Sequence, residues 1–140
     1  MKRAFLALVL VLTSLGAPAS AHHSFAMYDQ TRIVTLHGTV KTFQWTNPHA
    51  LIWLQGSLNP NGPAELWSVE LSTSPGNLAR MGWSKRSLAA GDKVTIDINP
   101  LRDGRRGGSL KKAVVLATGQ VLTTTPVAGQ ADYKPEAKQP

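Results

Sequence analysis

The stretch Phe43-Gln-Trp-Thr-Asn-Pro-His-Ala-Leu-Ile-Trp53 constrains the fold of this chain more than any other. One apolar run ends there, Asn47-Pro48 turns the chain, and a second apolar run begins at Ala50. Upstream, Val34, Leu36 and Val40 share a face at period two, with Gly38 between the last two, while Phe43 and Trp45 fall on the other parity. A glycine inside a strand together with a switch of face predicts a bend or bulge in one long curved strand.

Downstream, Ala50 to Leu54 is a short continuous apolar run, suited to a strand covered on both sides, and Asn59-Pro-Asn-Gly-Pro63 is a strong turn. Trp67, Val69 and Leu71 then alternate with Ser68 and Glu70, which completes a hairpin. Ser74 can cap a helix, Pro75 suits its first position, Leu78 and Met81 lie three apart, and Gly82 terminates it. Gly91-Asp92 opens a strand in which Val94, Ile96 and Ile98 alternate with Thr95, Asp97 and Asn99, and Pro100 ends it. Leu101 to Gly108 reads as a glycine- and arginine-rich loop, and Ser109 to Ala117 as a last strand with a small hairpin at Thr118-Gly-Gln120. The order predicts an all-β fold with one short helix, a small five-stranded Greek-key barrel of the OB type. An open sheet or a small sandwich has the same strand count.

The ends of the chain read differently. Lys2 and Arg3 precede an apolar run from Ala4 to Leu15, and Ala19-Ser20-Ala21 is a small-residue cleavage site, so residues 1–21 read as an export signal cut before His22. That run is too short to span a bilayer, and no other segment comes close, so no membrane span is expected. No cysteine follows the cut for lipid attachment, and none is present anywhere for a disulfide framework. Without the leader, of the 15 basic residues Lys2 and Arg3 are lost, and the remainder exceed the 8 acidic ones by five, an ordinary balance for an exported chain. Residues 22–31 form an arm, 32–122 the barrel, and 123–140 a disordered tail in which Pro, Lys and Gln accumulate and periodicity stops. The expected location is the periplasm, or outside the cell.

Cleavage before His22 gives that residue a free α-amine, and an amine and an imidazole nitrogen of one residue can chelate a single metal. Such an amine titrates near 7.7–8.0 in small peptides, so a metal displaces its proton easily at neutral pH. His23 is adjacent, and His49 stands beside the Asn47-Pro48 turn. A third nitrogen from His49 would give a T-shaped site suited to Cu(II), which heads the divalent affinity order. A cut after Ala19 would instead leave Ser20-Ala-His22, a motif that binds Cu(II) by a different route. The competing readings are a solvated tail for His22 and His23 and a strand-edge residue for His49. His37 lies on the opposite parity to Leu36 and reads as solvent-facing; Met27 and Met81 are soft donors, with core packing the expected role of Met81.

A second candidate surface is basic and aromatic. Arg102, Arg105, Arg106, Lys111 and Lys112 cluster around one loop, and Trp45, Trp53 and Trp67 are rings on which a ligand can stack, with Asn47 beside them. Nucleic acid is not expected as a partner of an exported chain, and tryptophans in the strands of a small domain belong more often to the core. Enzyme signatures are thin. There is no cysteine nucleophile, serine elbow, phosphate-binding glycine loop or H-E-x-x-H, and Glu65, Glu70 and Asp97 form no evident acid–base pair.

Ala21-His-His-Ser-Phe25, Trp45-Thr-Asn-Pro-His49, Pro75-Gly-Asn-Leu-Ala-Arg80, Gly82-Trp83, Gly91-Asp92 and Gly108-Ser109 together resemble a family of small exported bacterial proteins of unknown function. The likeness runs from His22 to about Leu122 and implies export and a single β-rich domain, with no activity attached. The first residues after the cut also resemble the starts of periplasmic copper-resistance proteins, over the terminus alone. The residues therefore point to a periplasmic, non-enzymatic binding protein with copper held by His22, His23 and His49. The alternative is a metal-free interaction or ligand-binding barrel of the cell envelope using Trp45, Asn47, Arg102, Arg105 and Arg106. A small copper oxidase or oxygenase is a third, weaker reading.

Overall fold

The computed structural model describes residues 25–124, so the leader, His22, His23 and residues 125–140 lie outside the described residues. After a short 3-10 turn at Phe25–Met27, the strands are β1 (Val34–Gln44), β2 (Ala50–Ser57), β3 (Glu65–Leu71), β4 (Lys93–Pro100), β5 (Gly107–Val115) and β6 (Val121–Thr123). One helix, α1 (Pro75–Arg80), stands between β3 and β4. Neighbours run β3-β2-β1-β4-β5, and a parallel β3–β5 pairing closes the ring into a five-stranded barrel, with β6 added to β5. The protein is mostly β with an OB-like closed barrel, as the strand order predicts.

β1 is long enough to serve two partners. It pairs with β4 from Val34 to Thr39 and with β2 from His37 to Gln44. Its register against β2 shifts between Val40 and Thr42, so Lys41 is the bulged residue. That extra residue reverses the pleat. Leu36 and Val40 before it and Phe43 and Trp45 after it all reach the same core, which explains the switch of parity in the sequence. Gly38 has another task. A Cβ there would lie 2.6 Å from the Gly56 Cα and against the Gln55 carbonyl oxygen, so β1 and β2 cross too closely for any side chain.

The core is aliphatic, with Leu36, Ile52, Leu54, Val69, Leu71, Ile96, Ile98 and Leu110 fully buried or nearly so. α1 adds Leu78, and the segment after it adds Trp83, whose Nε1 donates to the Thr123 carbonyl at 2.7 Å. Ser74 caps α1 by accepting from the Asn77 amide, Pro75 is the first helical residue, and Gly82 follows with φ +87°. Met81 packs against the core, as the sequence suggests. Gly107 and Gly108, read from sequence as the end of a loop, begin β5 and make the parallel contact with Ser68 and Val69 that closes the barrel. They are glycines because the strands approach closely: a Cβ at Gly108 would lie 2.5 Å from the Asn99 carbonyl oxygen. Among the described residues, no helix is long and apolar enough to cross a membrane.

Candidate functional site

The corner between β1 and β2 is built by Trp45 to His49, with a cis peptide bond between Asn47 and Pro48. His49 is the last residue before β2, and the β2–β3 register puts Leu51 opposite Glu70. Inward positions on β3 are Trp67, Val69 and Leu71, so Glu70 points to the outer face, beside His49. There the His49 Nδ1 contacts Glu70 Oε1, with side chains 24% and 22% exposed. The other carboxylate oxygen, Oε2, accepts a hydrogen bond from the Tyr28 hydroxyl at 2.7 Å. One carboxylate therefore joins the corner of the barrel to the segment around Tyr28.

That segment is fastened to the barrel along its backbone. Tyr28 bridges Leu101, the Asp29 amide donates to the Pro100 carbonyl at 2.8 Å, and the Arg102 amide donates to the Met27 carbonyl at 3.0 Å. Arg102 Nε adds a bond to the Ala26 carbonyl at 3.0 Å. Tyr28 as a whole is only 5% exposed. Two hollows meet at Glu70 and Leu51: one contains His49, Asn47, Gln44 and Thr46, and the other Met27, Tyr28, Ser68 and Arg105.

Burial pushes the Tyr28 phenol well above the ordinary tyrosine range, and the hydrogen bond to Glu70 and its charge push it further the same way. The neutral phenol is thus favoured in the folded protein. Its contribution to stability is whole below about pH 10, the midpoint of a free tyrosine's ionisation, and drains away as the pH climbs through the higher folded value. An ultraviolet tyrosinate titration should show Tyr28 ionising late, and Glu70→Gln should bring it part of the way back, leaving the share due to burial. A Tyr28 that titrates with a free phenol would show that the ring is not docked. At the surface, the Thr31 hydroxyl, followed by its amide, holds the Asp29 carboxyl below its usual range, and the Arg105 amide, followed by its guanidinium, does the same for Asp103.

The other residues singled out from sequence are dispersed. Arg102 holds the segment at Ala26 and Met27, Arg105 folds onto Asp103 at 2.7 Å, and Arg106 makes a two-pronged pair with Glu65 on β3, one prong at 2.6 Å. Lys112 pairs with Asp97 at 3.0 Å. Trp67 is in the core and Trp45 packs against it through Phe43, with ring centroids 5.9 Å apart. Trp53 is on the outer face, donating to Gln44 at 3.2 Å, and Asn47 is exposed in the His49 hollow. His37 lies in a different hollow, with Gln55, Ser57 and Lys93.

Glu70 and Tyr28 are the residues that sequence reasoning passes over. Among the described residues, no three histidines or acids come together as a metal cluster. A three-nitrogen site at this corner therefore needs donors from outside them, and His22 and His23 lie three and two residues before the first described one.

Set against known proteins, residues 9–111 match the model of one family, described as a family of unknown function (DUF6152). No curated protein and no solved structure matches the chain.

Proposed function

We propose that this chain, which belongs to the family of unknown function DUF6152, is an exported, non-enzymatic copper-binding protein of the periplasm. The ion is held by the α-amine and ring of His22, by His49, and by His23 as a further donor. Glu70 carries the reading. It holds His49 with one oxygen and accepts from Tyr28 at 2.7 Å with the other. Tyr28 comes six residues after His22, and six residues span at most ~20 Å. The tie at Tyr28 thus leaves His49 within reach of the amine of a chain cut before His22.

The chemistry suits copper. With Nδ1 engaged by Glu70, the imidazole of His49 ligates through Nε2, and a carboxylate behind a ligating histidine is the usual outer partner of such sites. An amine and two or three imidazoles make an all-nitrogen set, which favours Cu(II) over the other divalent ions. The metal-free reading has less support, because Arg105 and Arg106 already sit on Asp103 and Glu65.

Calorimetric titration of the protein beginning at His22 with Cu(II) tests the proposal. One ion per chain, bound saturably, is the expected result. A flat isotherm, or binding no tighter for Cu(II) than for Zn(II), would sink it.

A further inference from the structure

We infer that Glu70 is a positioning residue of this corner, fixing His49 with its proton on Nδ1 so that Nε2 faces the metal, and that Tyr28 couples that arrangement to the docked segment around it. The inference rests on the copper reading above and assigns roles to two side chains that supply no ligand.

The geometry argues for more than a structural latch. Glu70 lies on the outer face of β3, where packing makes no demand for a carboxylate. Yet its side chain is only 22% exposed and both of its oxygens are used. Removing a carboxylate from water is unfavourable unless hydrogen bonds replace the lost hydration, and here a phenol and an imidazole do so. A carboxylate only accepts. The nitrogen of His49 that touches it must therefore carry the proton, and the tautomer is set without a metal. An amide in its place would not set it, because one of its two ends donates and it can face His49 either way.

Tyr28 does a separate job. Its hydroxyl takes the second oxygen of the same carboxylate, while the backbone around it is tied to Pro100, Leu101 and Arg102. The ring that ligates and the segment that carries His22 thus share one group between them. Losing the phenol leaves Glu70 on His49 and loosens the segment around Tyr28. Losing the carboxylate removes its hold on the ring as well.

Three proteins beginning at His22 separate these roles: wild type, Glu70→Gln and Tyr28→Phe. The substitutions are nearly isosteric. Glu70 is on the outer face and Tyr28→Phe removes one oxygen atom, so the core is untouched, and near-ultraviolet circular dichroism confirms the fold of each. Nitrogen-15 spectra of the histidine side chains, taken without metal, report the tautomer of His49, and Cu(II) titration reports affinity. Wild type is expected to show Nδ1–H. Glu70→Gln should show a mixture shifted toward Nε2–H and bind Cu(II) roughly 10–100-fold more weakly, the usual effect of losing an outer-shell partner. Tyr28→Phe should keep the Nδ1–H tautomer and still bind Cu(II) more weakly.

A wild-type His49 that is already Nε2–H, or an unbiased mixture, overturns the inference. So does a Glu70→Gln protein with unchanged tautomer and affinity, and in that case the copper reading survives. If wild type shows Nδ1–H but takes up no Cu(II), the copper reading falls and this inference falls with it.

Discussion

Adding one methyl group at Gly38 should cost the protein at least about 3 kcal/mol. Overpacking a core usually costs ~1–3 kcal/mol, because side chains in the way can turn aside. At Gly38 there is no side chain to turn. The added Cβ would meet the Gly56 Cα at 2.6 Å and the Gln55 carbonyl oxygen, both of them backbone on the paired strand. Relief requires β1 and β2 to separate where β1 also holds Val94 of β4, so the strain falls on the ladder that closes the barrel. With a total stability of ~5–15 kcal/mol for a domain of this kind, the loss is a large fraction. Urea unfolding followed by tryptophan fluorescence should show Gly38→Ala melting at a much lower denaturant concentration. Gly76→Ala in α1 is the control of opposite sign. Its nearest neighbour would be the Ser74 Oγ at 4.0 Å, and replacing a helical glycine at an open site stabilises by ~0.4–1 kcal/mol. Equal midpoints for Gly38→Ala and wild type would mean that the two strands do not cross so closely.

Gly38 also shows where the sequence was legible and where it was not. A break in β1 is visible as the parity change between Val40 and Phe43, because an apolar pattern at period two cannot change face without an extra residue. The break is at Lys41, however, and the glycine marks a close crossing, a property of two strands that one strand cannot display. Gly107 and Gly108 misled in the same way, for a glycine at a strand start looks like a loop until its neighbours are known. β2 runs on to Ser57, past the apolar run that ends at Leu54, because the ladder to Glu65 continues through polar residues. The helix was legible to its ends, since Ser74, Pro75 and Gly82 act locally.

At the candidate site, the corner and His49 were visible and the carboxylate was not. Counting outward from the Asn59–Pro63 turn, centred on Asn61, puts Glu70 opposite Ile52, one residue from its true partner Leu51 and near His49. That count was available in principle, but its one-residue slip would have pointed Glu70 into the core. Tyr28 could not be placed, because its bond to Glu70 spans 42 residues and depends on the segment docking along Pro100 to Arg102.

Acetylating the α-amine of His22 should weaken Cu(II) binding by more than the roughly 10–100-fold expected for an outer-shell loss, because it removes a ligand itself. An amide nitrogen has no lone pair to offer without losing its own proton, so the ring of His22 would be left as a single donor and the chelate would open. His22→Ala removes the other half, keeping the amine and losing the ring, and should fall by a comparable factor. The modification is practical: a free α-amine titrates at about 7.7–8.0 and is partly unprotonated near neutral pH, while lysines, at about 10.4, are not. His49→Ala then distinguishes the two cleavage products. In a chain beginning at His22 it should weaken binding strongly, since His49 supplies the third nitrogen. In a chain beginning at Ser20 it should change nothing, because Ser20-Ala-His22 would surround the ion with its own amine, amides and imidazole. Undiminished affinity after acetylation would mean that the amine takes no part, and that any copper bound by the protein is held elsewhere.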